Sequence, residues 1–257
     1  MISLIGRAKR YASRLAVSTS DGDFTYADLL AGSARVAAGL LTTTGDLAGG
    51  RVAYLVPPVF EYPAVQWGIW RAGGVAVPLC TSHPEPELQH VIDDCEPRLL
   101  VASKEMMPRL APIARRLHIE LRLAEGLLRS ELRPLPAVLQ SRPAMIIYTS
   151  GTTGGPKGVV TTHDNIEAQV ASLVEAWEWR EDDRILLVLP LHHVHGIINV
   201  LSCALFSGAA VEMLPRFDSE QVWRRFASSP LTLFMAVPTI RKLNRDSAPT
   251  LPINTLP

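Results

Sequence analysis

Short apolar runs alternate with longer segments of helical periodicity along most of the chain. The runs Arg51–Val56, Val75–Leu79 and Arg98–Ala102 are continuously apolar after their first residues and predict buried strands. Between them, Glu61–Ala72 and Pro84–Asp94 carry apolar residues at the spacing of one helix face. This alternation favours a layered α/β fold with largely parallel sheets that helices cover on both faces.

The remaining pattern extends this alternation toward both ends of the chain. Thr25 and Asp28 have the spacing of a helix-capping pair, and an apolar helical stripe follows from Leu29 to Leu41. The prolines of residues 244–257 predict a loose tail, so we expect one domain over residues 1–243. Further strands are predicted at Ile119–Leu123, Ala144–Tyr148, Arg184–Leu189, Ala209–Met213 and Leu231–Ala236, and further helices at Asp164–Trp177, Gly196–Ser207 and Asp218–Ala227.

The composition indicates a sizeable buried core and no bias toward a charged partner. Of the 257 residues, 47% are hydrophobic, and 25 basic side chains balance 25 acidic ones. This balance argues against binding to nucleic acid. The three cysteines are widely spaced and form no CxxC pair, which argues against a disulfide framework and indicates a reducing compartment.

Two segments bear on where the protein is located. The most apolar one, Gly196–Val211, contains Asn199 and is shorter than the ~20 residues that a membrane-spanning helix needs, so we expect no membrane span. Near the amino terminus, four basic residues precede the first acidic residue, Asp21. They indicate either an ordinary helix with a basic outer face, which we favour, or a mitochondrial presequence. We therefore expect a cytoplasmic protein, with a mitochondrial one as the alternative. The four basic residues are Arg7, Lys9, Arg10 and Arg14.

The glycine-rich segment Thr149–Gly158 has the composition of a phosphate-binding loop. Its hydroxyl and backbone N–H groups can surround the oxygens of a polyphosphate, and Lys157 can offset their charge. A flexible linker has a similar composition. The position of the segment, directly between a predicted strand and a predicted helix, favours the binding loop. The predicted phosphate-binding residues are Thr149, Ser150, Gly151, Thr152, Thr153, Gly154, Gly155 and Lys157.

This loop differs from two common nucleotide-binding loops. A Walker loop needs a serine or threonine directly after its lysine, where this chain has Gly158. That difference disfavours a P-loop phosphotransferase. The spacing of the glycines does not match the GxGxxG loop of dinucleotide-binding proteins either.

Position by position, Thr149–Lys157 resembles the phosphate-loop signature of the AMP-forming adenylating superfamily, which includes the acyl-CoA synthetases. Phe24–Leu29, Arg71–Leu79 and Leu189–Gly196 resemble further motifs of that family in order and spacing. The resemblance implies that the chain is an incomplete large N-terminal domain of an adenylate-forming enzyme. The amino-acid sequence of Pro190–Asn199 is most similar to that of the malonyl-CoA synthetase branch.

Members of this family join a carboxylate to AMP from ATP, release pyrophosphate, and pass the acyl group to a thiol, usually that of coenzyme A. The resemblance therefore implies ATP, Mg²⁺ and coenzyme A, together with a small carboxylic acid, for which we expect malonate. It places Thr149–Thr153 and Lys157 on the β- and γ-phosphates, with Lys157 catalytic, and Thr152, or alternatively Thr153, beside Mg²⁺. His193 matches the family histidine near the acyl-adenylate carbonyl, which implies a catalytic and substrate-binding role.

Three histidines, His192, His193 and His195, follow the predicted strand that ends at Leu189. A zinc site built from them with Cys203 is conceivable. We disfavour that site because adjacent residues of an extended segment point in opposite directions. A structural, hydrogen-bonded role is the alternative for His193, and the roles of the other two histidines stay open.

A dicarboxylate substrate needs a second cationic side chain at the far end of its pocket. The malonate enzymes of the family resemble one another in an arginine shortly after a Val-Pro-Thr segment, which here is Val237–Thr239. Arg241 is therefore the candidate for a substrate-binding arginine. A solvated charge at a helix end is an alternative with at least equal support.

The later motifs of the family, which supply adenine, ribose and metal contacts, are not found in this sequence, and neither is its small C-terminal domain. We therefore expect the isolated chain to be marginally stable and weakly active or inactive, because its sheets would lose neighbouring strands. The alternative to a ligase is a non-catalytic fragment that binds a nucleotide or a partner. The sequence pattern does not determine the oligomeric state.

Overall fold

Strands and helices alternate along the chain, as the hydrophobic pattern predicts. The computed structural model describes residues 2–149 and 156–238. Its strands are β1 (Leu15–Thr19), β2 (Gly22–Thr25), β3 (Arg51–Leu55), β4 (Val75–Pro78), β5 (Leu99–Ala102), β6 (Glu120–Leu123), β7 (Pro143–Thr149), β8 (Lys157–Thr162), β9 (Arg184–Leu187), β10 (Ala210–Met213) and β11 (Leu233–Phe234). Its helices are α1 (Ser3–Ala8), a 3-10 turn (Lys9–Tyr11), α2 (Tyr26–Leu40), α3 (Glu61–Arg71), α4 (Glu85–Cys95), α5 (Met107–Leu117), α6 (Ala124–Leu127), α7 (His163–Ala176), a π-helix (His195–Ser202), α8 (Cys203–Ser207) and α9 (Ser219–Ser228).

Within the described residues, the strands form two sheets. The strand order is β11-β9-β10-β1-β2 in the first sheet and β6-β5-β3-β4-β7-β8 in the second. Neighbouring strands are parallel except at one edge of each sheet, where β2 is antiparallel to β1 and β8 is antiparallel to β7. The predicted layered α/β fold with largely parallel sheets is therefore confirmed.

One large cluster of buried side chains lies between the two sheets. Val52 and Tyr54 of β3 face this cluster, whereas Ala53 and Leu55 face a second cluster formed with α4 and α5. Leu186 of β9 faces a third cluster, formed with α9 on the outer side of the first sheet. The layers therefore follow the order α9, first sheet, central helices, second sheet, and α4 with α5. The central helices are α1, α2, α3, α6, α7, the π-helix and α8.

The predicted helix-capping pair before α2 is confirmed. The Thr25 hydroxyl accepts a hydrogen bond from the Asp28 backbone N–H at 3.2 Å, and the Asp28 carboxylate accepts one from the Thr25 N–H at 2.8 Å. In the described part of the chain, no helix combines the length and the apolar character that crossing a membrane requires. The predicted tail, residues 244–257, lies outside the described residues.

The pattern missed or misplaced several elements. Helix α5 was not predicted because Pro112 lies in its interior. Strand β2 was not predicted because its first residues are exposed and show no alternation of apolar and polar positions. The predicted strand Leu231–Ala236 is confined to β11.

The predicted loop Thr149–Gly158 is wrong at both ends. Thr149 closes β7, and Lys157 and Gly158 open β8, whose β-branched residues favour a strand. A glycine is needed at 158 because a Cβ there would lie 2.9 Å from a side-chain carbon of Ile146. The segment that connects the two strands is therefore shorter than expected.

A buried carboxylate connects the first sheet to α9. Glu212 of β10 is only 1% exposed. Its oxygens pair with Arg184 Nη2 at 3.0 Å and with Arg225 Nε at 3.0 Å, and the Ser229 hydroxyl donates to it at 3.3 Å. Because a buried charge without partners is costly, this network holds β9, β10 and α9 in one arrangement.

Replacement of this carboxylate is expected to destabilise the chain. Glu212→Ala should lower the free energy of unfolding by about 3 kcal/mol, because two cationic partners lose their counterion in a partly buried site. In the control, Glu220→Ala removes the exposed partner of Arg224 on α9 and should cost less than about 1 kcal/mol. Urea denaturation of both variants measures the difference, and equal losses would contradict the buried-network assignment.

Candidate active site

The carboxyl ends of four parallel strands, two from each sheet, meet at one cavity. Val56, Leu79, Val188 and Leu214 directly follow β3, β4, β9 and β10, and all four line this cavity of about 250 Å³. Open parallel sheets bind their ligands at such strand ends. The fold therefore places a candidate site where the two sheets approach each other.

A second cavity, of about 490 Å³, connects the predicted phosphate loop with the predicted histidines. Thr149 and Pro156, on either side of the loop, line it together with His192 and His193. His192 and Cys80 line both cavities, which therefore adjoin. The structure thus brings together two predicted site residues, Thr149 and His193, that are far apart in sequence.

The ends of the predicted phosphate loop are held by the β7–β8 pairing. Thr149 and Lys157 are register partners, and Lys157 begins β8 with an exposed side chain directly after Pro156. Tyr148 anchors the end of β7, because its hydroxyl donates a hydrogen bond to Asp94 of α4. The other predicted loop residues, Ser150, Gly151, Thr152, Thr153, Gly154 and Gly155, lie outside the described residues, as does Arg241.

The two cavity-lining histidines lie in a tight turn that follows β9. The His193 N–H donates to the Pro190 carbonyl at 3.3 Å, and the Tyr62 hydroxyl donates to the Leu191 carbonyl at 2.6 Å. Gly196 passes so close to Pro190 that a Cβ at 196 would lie 2.3 Å from the Pro190 carbonyl oxygen. The π-helix begins directly beyond this turn, and π-helical turns are frequent at functional sites.

The expectation that His192 and His193 point in opposite directions is wrong. Their ring centroids are 4.0 Å apart, because the two residues lie in a turn and not in an extended segment. Cys203 is buried in α8, and His195 is exposed at the start of the π-helix.

Sequence analysis missed several polar side chains that line the cavities, among them Cys80, His83 and Arg216. Cys80 and His83 lie between β4 and α4, and Arg216 follows β10. The signal that could have found them is their position just after predicted parallel strands, where ligand-binding side chains gather.

Both histidines of the turn are held in the neutral form at neutral pH. Burial, then His193 and then His83, lowers the pKa of His192 from 6.5 to about 4. Burial, followed by His83, also lowers the pKa of His193. Neutral imidazoles can donate or accept a hydrogen bond, so they can orient a polar group in the larger cavity.

Comparison with known families identifies the chain. The AMP-binding enzyme family matches residues 5–251, nearly the whole sequence. The chain belongs to the AMP-binding enzyme family. Among curated members, it is 42% identical over 248 residues to the mitochondrial malonate–CoA ligase ACSF3 of Homo sapiens, covering 91% of this chain and 43% of that protein. It is 34% identical over 269 residues to a malonate–CoA ligase of Arabidopsis thaliana, covering 91% and 44%.

Solved structures of AMP-binding enzymes have the same fold. ATP-bound MatB from Rhodopseudomonas palustris superimposes with a TM-score of 0.84 at 30% identity, over 96% of this chain and 51% of that one. The N-terminal domain of FACL13 from Mycobacterium tuberculosis superimposes with a TM-score of 0.85 at 28% identity, over 95% and 65%. The described fold is therefore that of the N-terminal domain of adenylate-forming enzymes. The chain spans less than half the length of the curated relatives it matches.

The lowered pKa of His192 predicts a pH-dependent contribution to stability. Between pH 6.5 and about 4 the unfolded chain binds a proton that the folded chain does not, so this contribution is full above pH 6.5 and is lost as the pH falls toward 4. His192→Gln is therefore expected to reduce the loss of unfolding free energy between about pH 7.5 and about pH 5. Denaturant titrations of both proteins at both pH values measure it. Because packing losses are the same at each pH, equal pH dependence in the two proteins would contradict the assignment.

Proposed function

We propose that this chain is the ATP-binding part of an AMP-forming ligase that joins malonate to coenzyme A. The observation that carries the proposal is the cavity shared by Thr149, Pro156 and His193, since it connects the ends of the phosphate loop to the family histidine. The malonate–CoA ligases of Homo sapiens and Arabidopsis thaliana, at 42% and 34% identity, support malonate as the acid.

The proposed reaction has two steps. A carboxylate oxygen attacks the α-phosphorus of ATP, so that an acyl-adenylate forms and pyrophosphate leaves. The thiol of coenzyme A then attacks the acyl carbonyl carbon, loses its proton, and AMP leaves with the bonding electrons. A carboxylate is a weak nucleophile and is repelled by the phosphates. Positioning and charge neutralisation are therefore what the protein must supply.

The residues divide between the two ends of the larger cavity. At the loop end, we propose that Lys157 and the hydroxyl and N–H groups of Thr149–Gly155 hold the β- and γ-phosphates. At the other end, His193 orients the acyl carbonyl as a neutral imidazole, consistent with its lowered pKa. The first step then takes place between them.

We propose that Mg²⁺ binds at the loop end of the larger cavity. Thr149 lines the cavity at the loop end, and a hydroxyl oxygen suits a hard cation such as Mg²⁺. The ion would neutralise charge on the pyrophosphate. Thr152, or alternatively Thr153, remains the proposed hydroxyl beside it.

The second carboxylate of malonate needs a cation, and two arginines are candidates. Arg216 is the only arginine among the described residues that line the two cavities. It lines the smaller cavity, as does His192. Arg241 is the candidate from family resemblance. We favour Arg216 because it lines the smaller cavity, at the end of β10, together with the strand ends of β3, β4 and β9.

The same relatives support one of the two expected compartments. The human ligase is named as mitochondrial, which supports the mitochondrial alternative over the cytoplasmic location that the composition favours. A non-catalytic nucleotide-binding role is the second candidate function, because Thr149 and Pro156, at the ends of the predicted phosphate loop, line the larger cavity.

Lys157→Ala is expected to weaken binding of Mg–ATP by roughly 10–100-fold, because a charge-assisted contact to phosphate contributes about 1.5–3 kcal/mol. Isothermal titration calorimetry on the 257-residue chain measures this. Lys104→Ala, at an exposed lysine that follows β5, is the matched control and should bind like wild type. Wild-type affinity in the Lys157 variant would show that the loop assignment is wrong.

Pyrophosphate release separates the two candidate functions. Release that requires both Mg–ATP and malonate supports the ligase. Binding of Mg–ATP without release from any carboxylate, by protein shown to be folded, supports the nucleotide-binding alternative and agrees with the expected weak activity of the isolated chain.

Arg216→Gln is expected to weaken malonate binding by roughly 10–100-fold, because the second carboxylate of malonate loses a charged partner. Calorimetry with malonate in the presence of a non-hydrolysable ATP analogue measures the change, whether or not the chain turns over. Arg224→Gln, at an exposed arginine of α9, is the control. A loss in Arg241→Gln with none in Arg216→Gln would transfer the role to Arg241.

A further inference from the structure

Three metal-binding side chains converge at the junction of the two cavities. Cys80 and His83 lie between β4 and α4, and His192 lies in the turn after β9. One ligand atom from each lies within 4.8 Å of the other two. We propose that Cys80, His83 and His192 form a transition-metal site whose preferred ion is Zn²⁺.

The donor set favours zinc over the Mg²⁺ of the phosphate loop. A thiolate and two imidazoles are soft and borderline ligands, which suit Zn²⁺ and related ions, whereas Mg²⁺ takes oxygen ligands. Among the residues that the structure describes, this is the only group of three or more cysteine, histidine or acidic side chains whose ligand atoms lie close enough together to hold an ion. It shares only His192 with the set His192, His193, His195 and Cys203 that sequence analysis disfavours.

The geometry requires only a small adjustment. With Zn–S near 2.3 Å and Zn–N near 2.0–2.1 Å, tetrahedral ligands lie about 3.3–3.6 Å apart, so atoms that lie within 4.8 Å of one another need to approach by at most about 1.5 Å. Cys80 and His83 are joined by a turn in which the His83 N–H donates to the Cys80 carbonyl at 3.3 Å. This turn keeps the Cys80 and His83 side chains close together, with their ligand atoms within 4.8 Å of each other.

Neighbouring polar groups support the proposed ligands. The Glu87 carboxylate lies 3.3 Å from Nδ1 of His83. In the proposed site it accepts the Nδ1–H bond and leaves Nε2 for the metal, the arrangement that orients most metal-binding histidines. The Ser82 hydroxyl lies 3.1 Å from the Cys80 sulfur.

Three protein ligands leave the fourth position of a tetrahedral ion open. Cys80 and His192 line both cavities, so this position faces the space where we place the substrates. Water or an anionic group of a bound molecule would complete the coordination. The proposal itself does not depend on ligase activity, because its test is metal binding.

The test uses the purified 257-residue chain after removal of metals with a chelator. Zn²⁺ is titrated in competition with a chromogenic chelator, and Co²⁺ serves as a spectroscopic probe. We expect saturable binding of a single ion per chain and a thiolate-to-cobalt charge-transfer band. Absence of that band from folded wild-type protein would overturn the proposal without any variant.

Substitutions then identify the ligands. Cys80→Ser should abolish the charge-transfer band, and His83→Gln and His192→Gln should each weaken Zn²⁺ binding by more than the roughly 10–100-fold expected for Glu87→Gln, which removes only an outer partner. His90→Gln, at an exposed histidine of α4, and Cys95→Ser, whose thiol is buried in the core, are the matched controls. Circular dichroism confirms that each variant is folded. Unchanged binding in the Cys80 and His192 variants, or equal losses in the controls, would contradict the site.

Discussion

The two sheets share one layer of buried helices, and the packing of that layer determines where their strand ends meet. Helix α3 is hydrogen-bonded to both sides. The Trp70 indole donates to the Ala144 carbonyl of β7 in the second sheet at 2.7 Å, and the Tyr62 hydroxyl donates to the Leu191 carbonyl after β9 of the first sheet at 2.6 Å. Buried aromatic side chains with a polar group need such partners, so α3 can occupy only one position between the sheets.

This shared layer is what makes a site out of two separate sheets. Parallel strands place their carboxyl ends along one edge, and loops at that edge supply binding and catalytic groups. Because α3 holds the turn after β9 against the strand ends of the second sheet, residues that follow β4 and β9 line the same cavities. The close contact of Gly196 with Pro190 then makes the turn tight enough to bring two histidine rings together.

The two ends of the larger cavity differ in the ligands they offer. The loop end is lined by Thr149 and Pro156, and the exposed cation Lys157 directly follows Pro156. A hydroxyl and a cation suit phosphate oxygens, and a hydroxyl also suits a hard metal ion. The other end has neutral imidazoles and a thiol, which suit a polar carbonyl or a softer metal. Such a division allows one cavity to bind chemically different groups side by side.

The sequence by itself determined the layered α/β fold and most element positions, because local apolar periodicity depends on neighbouring residues only. It also singled out His193 through resemblance to a family to which the chain belongs. Only the tertiary structure decided that Lys157 begins a strand, because β8 forms by pairing with β7. The same holds for Cys80, His83 and His192, which come together because two different sheets direct their strand ends to one place. Such long-range packing leaves no local periodicity in the chain, so no pattern of neighbouring residues could predict it.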